Sequence, residues 1–379
     1  MTKTVAIIGG GYAGYALARV LDEHIDTTLI EAREAFVHNV AAIRAVADPN
    51  LVPDLIFPYD NLLRKGRVVR GRAATVGPGG VTLADQSLVA ADIVVVATGS
   101  AYATPFKPRG DSVEAFAAAL ADIGQQVRAQ DHVVIVGAGA VGVELAGELK
   151  FAFPKKNVSL VSNMGRLFPP YPQKLSDKLL RKLREAGVQL YLGDAVTELG
   201  QTDMPYLGEV ILESGTKLAG LVVPVIGARI ADGPGRLLPG ITLRKNGQLA
   251  VDAWLRPSTL ANVFAMGDLI DTGEGMTVVA ATRQAPWLAT TIRKIASGRK
   301  VETLPGYKPW PKPPILIPLG PKKGASVLPL SRDGTVVGDW LTAKIKGKEL
   351  FIPRYRKEFG RNRGWAGARS GRASTKLER

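Results

Sequence analysis

Short, wholly apolar runs broken by glycine set the pattern of this chain. TVAII (4–8) predicts a strand buried on both faces, and the apolar spacing over Gly14–Asp22 predicts a helix packed on it. A second strand is expected over Thr27–Ile30, ending at Glu31, with shorter strands near Val68–Val69 and Val81–Leu83. IVVVATGS (93–100) predicts another buried strand that ends in glycine. The order then restarts at Asp131, with strand VVIVG, a helix over Val141–Phe151 and strand VSLVS (158–162). A helix over 174–187, strands near 188–192 and 208–212, and the apolar run LVVPVIGAR (221–229) follow. TLANVFAMGDLID (259–271) returns to a strand and a loop before a helix near 277–298. Alternating strands and helices of this kind predict an α/β protein with parallel sheets.

Two turns carry the same glycine pattern. Gly9, Gly11 and Gly14 follow the first strand and open the first helix, while Gly137, Gly139 and Gly142 do the same in the second unit. In G-x-G-x-x-G the first glycine makes the tight turn and the second lets a pyrophosphate approach the backbone. The third lets helix and strand pack closely, and the helix N-terminus adds partial positive charge. Glu31 stands near the offset at which an acid bonds the hydroxyls of a ribose. The matching position of the second unit is Ser162, with Asn163 beside it and Arg166 shortly after. No carboxylate there repels a 2′-phosphate, and Arg166 is either a helper for that phosphate or a solvated cation. NADH and NADPH both remain open.

A chain of 379 residues is too long for one core and implies two or three domains. It contains no cysteine, which excludes disulfides, iron–sulfur clusters and any dithiol relay. With three histidines, no metal centre is expected, so redox chemistry must rest on organic cofactors. Composition shifts after Pro305, where YKPWPKPPILIPLGPKKG is rich in proline and lysine. From there to the end, 17 Lys and Arg face 5 Asp and Glu, so twelve of the fifteen net positive charges lie in the last fifth. That imbalance points to an anionic partner, whether lipid headgroup, nucleic acid or protein. Antiparallel strands are expected near 315–319, 325–330 and 334–341, and RNRGWAGARSGRASTKLER (361–379) is expected to lack order.

GGGYAG, ATGS (97–100), GAGAVGVE (137–144) and TLANVFAMGD (259–268), in that order, resemble the two-dinucleotide-fold flavoprotein family of pyridine-nucleotide oxidoreductases. FVHNVAAIRA (36–45), ELAGELK (144–150) and KGKELFIP (346–353) narrow the resemblance to its apoptosis-inducing-factor-like branch, related to type II NADH dehydrogenases. The resemblance implies two Rossmann-like domains plus a small C-terminal α+β appendage. FAD would bind a discontinuous domain of residues 1–110 and 230–304, and NAD(P)H an inserted domain of 111–229. Residues 305–360 would form a C-terminal interface domain, followed by the basic tail 361–379.

The resemblance also assigns roles. Gly9, Gly11, Gly14, Glu31, Asn39, Arg44, Ala97, Thr98, Gly99 and Asp268 would hold FAD, with Asp268 on the ribitol and Arg44 toward its phosphates or dimethylbenzene side. Gly137, Gly139, Gly142 and Glu144 would hold NADH or NADPH, and Glu144 and His38 would act at the reaction centre. Where disulfide reductases of this family keep a cysteine pair, this chain has Val37, His38, Asn39 and Val40, so the acceptor must meet the flavin directly. A quinone is the acceptor the resemblance suggests, with Gln284, Trp287 and Phe351 as pocket residues, although Trp287 and Phe351 suit a core or domain contact equally well.

Basic residues interleaved with Trp310, Phe351, Tyr355, Phe359 and Trp365 suit an anionic membrane surface, which implies a cytoplasmic protein that can rest on the inner face of a membrane. A small acidic redox protein of the ferredoxin or rubredoxin type is the alternative acceptor. A redox-responsive nucleic-acid binder ranks below both, since no recognition motif accompanies the basic tail. A homodimer is compatible with all three readings.

Overall fold

The computed structural model describes residues 3–102, 104–230, 233, 237–257, 260–310 and 312–360. The basic segment 361–379 lies outside the described residues, as does Thr259 at the head of TLANVFAMGD.

The first sheet contains β1 (Thr4–Ile8), β2 (Asp26–Glu31), β3 (Arg67–Arg70), β4 (Ile93–Val96) and, far downstream, Val263–Ala265. All pair in parallel, in the order Val263–Ala265, β4, β1, β2, β3. The second contains β5 (His132–Val136), β6 (Asn157–Ser162), β7 (Val188–Leu192), β8 (Tyr206–Ile211) and β9 (Lys217–Pro224), in the order β7, β6, β5, β9, β8. Only β8 runs antiparallel, and it forms an edge. Parallel strands covered on both faces must be apolar throughout, which explains the unbroken Val and Ile runs of β1, β4 and β5. In both sheets the central strand, β1 or β5, feeds a glycine turn at its C-terminal end, where crevices in such sheets bind ligands.

Helices α1 (Tyr12–Asp22), α2 (Ala42–Ala47), α3 (Val113–Ala129), α4 (Ala140–Ala152), α5 (Gln173–Glu185) and α6 (Val278–Ala296) cover the sheets. α1 packs against α6, burying Leu17, Leu21, Leu288 and Ile292. α3 was not anticipated from the sequence. It begins at Ser112, whose side chain accepts the Ala115 N–H, and buries Val113, Phe116, Leu120, Ile123 and Val127. Five such side chains contribute on the order of 10 kcal/mol of gross burial, before conformational entropy is subtracted.

The C-terminal appendage is an antiparallel sheet of Ile315–Leu319, Lys323–Leu328 and Thr335–Val337. Its third strand is shorter than expected because Asp339 starts a helical turn, its carboxylate taking the Gly324 N–H and the Lys182 ammonium. The first strand lies on α4. Gly147 permits this, since a Cβ there would sit 2.5 Å from the Leu319 Cα. A π-helical turn (Ala343–Gly347) and helix Ile352–Glu358 then bring the chain back to the first sheet's domain.

Candidate active site

The two glycine turns have nearly the same geometry. Gly9 has φ +100° and Gly137 φ +115°, backbone that other residues rarely adopt. A Cβ on Gly14 would collide with the Gly9 carbonyl, and one on Gly142 with the Gly137 carbonyl. Gly11 and Gly139 each stand as helix N-cap with open space where a Cβ would point (φ −68° and −71°), so backbone N–H groups can meet a ligand's phosphates there. Both turns therefore fit a dinucleotide pyrophosphate.

A cavity of about 420 Å³ runs from the first turn toward the second unit. Gly9, Gly11, Asn39, Ala97, Thr98, Gly99 and Asp268, all among the residues expected to hold a flavin, line it. Asp268 comes from the short 3-10 turn Gly267–Leu269 after the Val263–Ala265 strand. Its Oδ2 accepts from Ser100 Oγ at 2.6 Å and lies 3.2 Å from Lys107 Nζ. Glu31 sits beneath the first turn rather than on the cavity wall, its carboxylate accepting the Gly10 N–H at 2.5 Å and the Arg33 N–H at 3.0 Å.

From the second unit, Ala140, Val141 and Glu144 of α4 reach the same cavity, while Gly137, Gly139 and Gly142 do not line it. Glu144 is buried, and desolvation pushes its carboxyl above the usual range although Lys346 opposes the shift. The Lys346 ammonium lies 2.7 Å from Glu144 Oε1 and also donates to the Leu316 carbonyl at 3.2 Å. Nothing in the sequence marked Lys346; only its place in KGKELFIP hinted at it. Tyr12, Lys107, Arg354 and Tyr355 are further cavity residues that the motifs did not single out.

Besides Gly14, Glu31 and the second turn's glycines, four more expected site residues stand off the cavity wall. His38 is fully buried behind the wall, its Nδ1 2.7 Å from the Tyr12 hydroxyl and its Nε2 2.5 Å from the Leu350 carbonyl. Burial lowers its pKa to about 3, which favours the neutral ring. Arg44 turns away from the cavity to pair with Glu148, from Nη2 at 2.8 Å and Nε at 2.9 Å. Gln284 lies behind Asp268, where its Oε1 accepts the Gly267 N–H at 2.7 Å and holds that turn. Trp287 is a packing residue, its ring edge-on to Tyr307 at 5.3 Å. Phe351 does line the cavity, next to Tyr355.

The nucleotide-discriminating position is also rearranged. Ser162 Oγ accepts the Met164 N–H, and Arg166 is engaged by Gln173 and by the carbonyls of Pro169 and Tyr171. Its guanidinium binds its own loop.

Two glycine turns of the same geometry, one lining a cavity that the helix after the other also reaches, define the class. The chain belongs to the pyridine nucleotide-disulphide oxidoreductase family, whose description matches residues 3–285. Within it, the chain is 28% identical over 374 residues to apoptosis-inducing factor homolog B of Dictyostelium discoideum, covering 93% of this chain and 96% of that protein. It is 29% identical over 370 residues to ferroptosis suppressor protein 1 of Mus musculus, covering 92% and 93%. Among solved structures, NDH2 from Plasmodium falciparum has the same fold, with TM-score 0.71 at 15% identity, covering 95% and 98% of the two chains. So does the sulfide:quinone oxidoreductase of Aquifex aeolicus, with TM-score 0.72 at 17% identity, covering 95% and 92%.

Proposed function

We propose that the protein is an FAD-dependent NAD(P)H oxidoreductase that passes two electrons to a quinone-type acceptor, without a thiol relay. The observation that carries this reading is the meeting of both coenzyme units at one cavity, with Asp268 and the Gly9–Gly11 turn on one side and Glu144 on the other. A bound flavin would supply the redox chemistry, taking a hydride from the nicotinamide and giving up an electron pair to the acceptor. The chain's own task is to bind and align, since stacking and proximity, not an acid–base group, govern hydride transfer.

The residues present suit those tasks. Gly9 makes the tight turn against Ala97, Gly11 leaves room for the pyrophosphate of FAD, and Asp268 offers its second oxygen to sugar hydroxyls. Glu144 stands where the helix of the second turn enters the cavity, placed to orient a nicotinamide nucleotide. With no carboxylate at Ser162 and Arg166 occupied, neither NADH nor NADPH gains a dedicated partner there. For the acceptor, Phe351, Tyr355, Ile315 and Leu316 offer apolar walls, and Lys346 offers N–H donors to an oxygen. A flat ring bearing carbonyl oxygens matches that lining. Relatives named for ferroptosis suppression and quinone chemistry support the same class.

Attachment to an anionic membrane surface belongs to the proposal as well. Among the described residues no helix is long and apolar enough to cross a membrane. Trp340 is 73% exposed with the Lys344 ammonium 5.0 Å from its ring, a pairing that suits headgroup level.

Purified protein should carry a yellow flavin and oxidise NADH or NADPH faster when a soluble benzoquinone is added. Protein that takes up no flavin on reconstitution, or holds it yet ignores both nicotinamide nucleotides, would remove the reading.

A further inference from the structure

The stretch that sits where the family keeps its cysteine pair does something else in this fold. The π-helical turn Ala343–Gly347 and the residues after it leave several carbonyls without the partners a continuing helix would give. Those of Ala343 and Lys346 are taken by the Lys348 and Leu350 N–H groups, and that of Glu349 by the Ile352 N–H. Three others, those of Gly347, Lys348 and Leu350, are taken by side chains from over 300 positions earlier in the chain. Arg44 donates to the Gly347 carbonyl at 2.6 Å and to the Lys348 carbonyl at 3.3 Å, and His38 meets the Leu350 carbonyl at 2.5 Å.

The chemistry of each bond fixes its direction. A carbonyl only accepts, so His38 Nε2 carries the proton. The ring is neutral, so Nδ1 is bare and accepts from the Tyr12 hydroxyl, which in turn accepts the Val40 N–H. The same imidazole thus holds one cavity residue, Tyr12, and one carbonyl of the 346–351 segment. Arg44 is held in turn by the buried Glu148. Just past these carbonyls the chain turns through two consecutive left-handed residues, Leu350 (φ +49°) and Phe351 (φ +61°), which side-chain-bearing residues adopt only when the surroundings impose it. The segment so held places Lys346 and Phe351 on the cavity wall.

We infer that His38 and Arg44 are positioning residues that clamp the 346–351 strap through its backbone carbonyls and thereby set the acceptor side of the cavity. Neither touches the cavity itself. The inference rests on the proposed acceptor for its kinetic arm only; its structural arm does not depend on any acceptor.

The test compares flavin-loaded wild type with Arg44→Lys, His38→Phe and His38→Gln. By hydrogen exchange, the amides of the 343–352 peptide should exchange at least tenfold faster in Arg44→Lys and His38→Phe. Peptides of the two glycine turns should be unchanged, and His38→Gln, which keeps an N–H donor, should recover most of the protection. Flavin content and the anaerobic bleaching of the flavin by NADH should stay within twofold of wild type, while the KM for a soluble benzoquinone rises five- to tenfold. Unchanged protection of 343–352 in folded Arg44→Lys would overturn the clamp. So would a loss of flavin or of bleaching in step with the KM, which would mark a general structural role. If His38→Phe does not fold, the Arg44→Lys and His38→Gln results decide alone. If wild type does not bleach with NADH, the proposed activity fails while the exchange result still judges the clamp.

Discussion

Replacing Lys346 with methionine removes, among the described residues, the ammonium held against Glu144 while keeping an unbranched side chain in the cavity wall. Burial already raises the Glu144 carboxyl, and the Lys346 ammonium opposes that rise more strongly than any other neighbour. An uncompensated charge in such a place costs several kcal/mol, so the variant's carboxyl escapes the cost by taking up a proton. In the unfolded chain the same group titrates near its ordinary value of 4.5. Holding it protonated at pH 7 therefore costs about 3 kcal/mol, at about 1.36 kcal/mol for each pH unit above that value. The sign follows from proton counts. In the variant the folded state holds a proton that the unfolded state releases, so its stability falls as pH rises above 4.5. The wild-type carboxyl is raised too but less, so the variant falls behind wild type only once the wild-type carboxyl has ionised, and the gap levels off when the variant's own carboxyl ionises. Methionine also changes apolar burial, but that offset does not vary with pH, so the slope decides. Urea unfolding of both proteins at pH 5, 6, 7 and 8, with matched flavin content, reads it directly. A stability difference equal at pH 5 and pH 8 would refute the claim that Lys346 acts on Glu144 through its charge.

Gly14→Ala and Gly142→Ala should separate the two turns: each forces a methyl onto a carbonyl, a strain of about 1–3 kcal/mol where the helix can yield, and flavin retention and NADH bleaching report on it. The first should lose flavin on gel filtration, whereas the second should stay yellow and no longer bleach with NADH. Arg166→Ala should change the ratio of NADPH to NADH turnover by less than twofold, because its guanidinium is bound within residues 169–173; a tenfold loss of NADPH use would contradict that geometry. Trp340→Ala should weaken co-sedimentation with vesicles containing phosphatidylserine, and added salt should weaken it further, each basic residue contributing about 1 kcal/mol near such a surface. Equal recovery on neutral vesicles would count against the membrane reading.

How far the sequence could be read depended on whether a residue's role was local. The turns at Gly9 and Gly137 were legible because strand, turn and helix follow one another within a dozen residues, and steric need leaves no choice but glycine. Helix α3 was legible too and was missed: Ser112 as cap and Val113, Phe116, Leu120, Ile123 and Val127 at three- and four-residue steps signal it. Residues 305–360 drew attention as a basic, proline-rich stretch, which hid the helical turns after Asp339. Lys346 could not be found, since its partner Glu144 lies 202 positions away and no pattern links a lysine in the appendage to α4. His38 and Arg44 were singled out by resemblance, but their side chains turn to backbone carbonyls of the appendage, an arrangement that no local spacing encodes. Gln284 was expected one layer too far forward, because the Gly267 N–H that it satisfies faces inward.

The bond between His38 and Leu350 joins positions 312 apart, so during synthesis the last wall of the cavity emerges from the ribosome long after both coenzyme turns. A dinucleotide held at those turns would be covered last by the C-terminal stretch, which supplies Ile315, Leu316, Lys346 and Phe351 to the cavity lining. On the proposed function, retention of a flavin would then be a matter of trapping as well as affinity, and a protein halted before Ile315 would be expected to leak it.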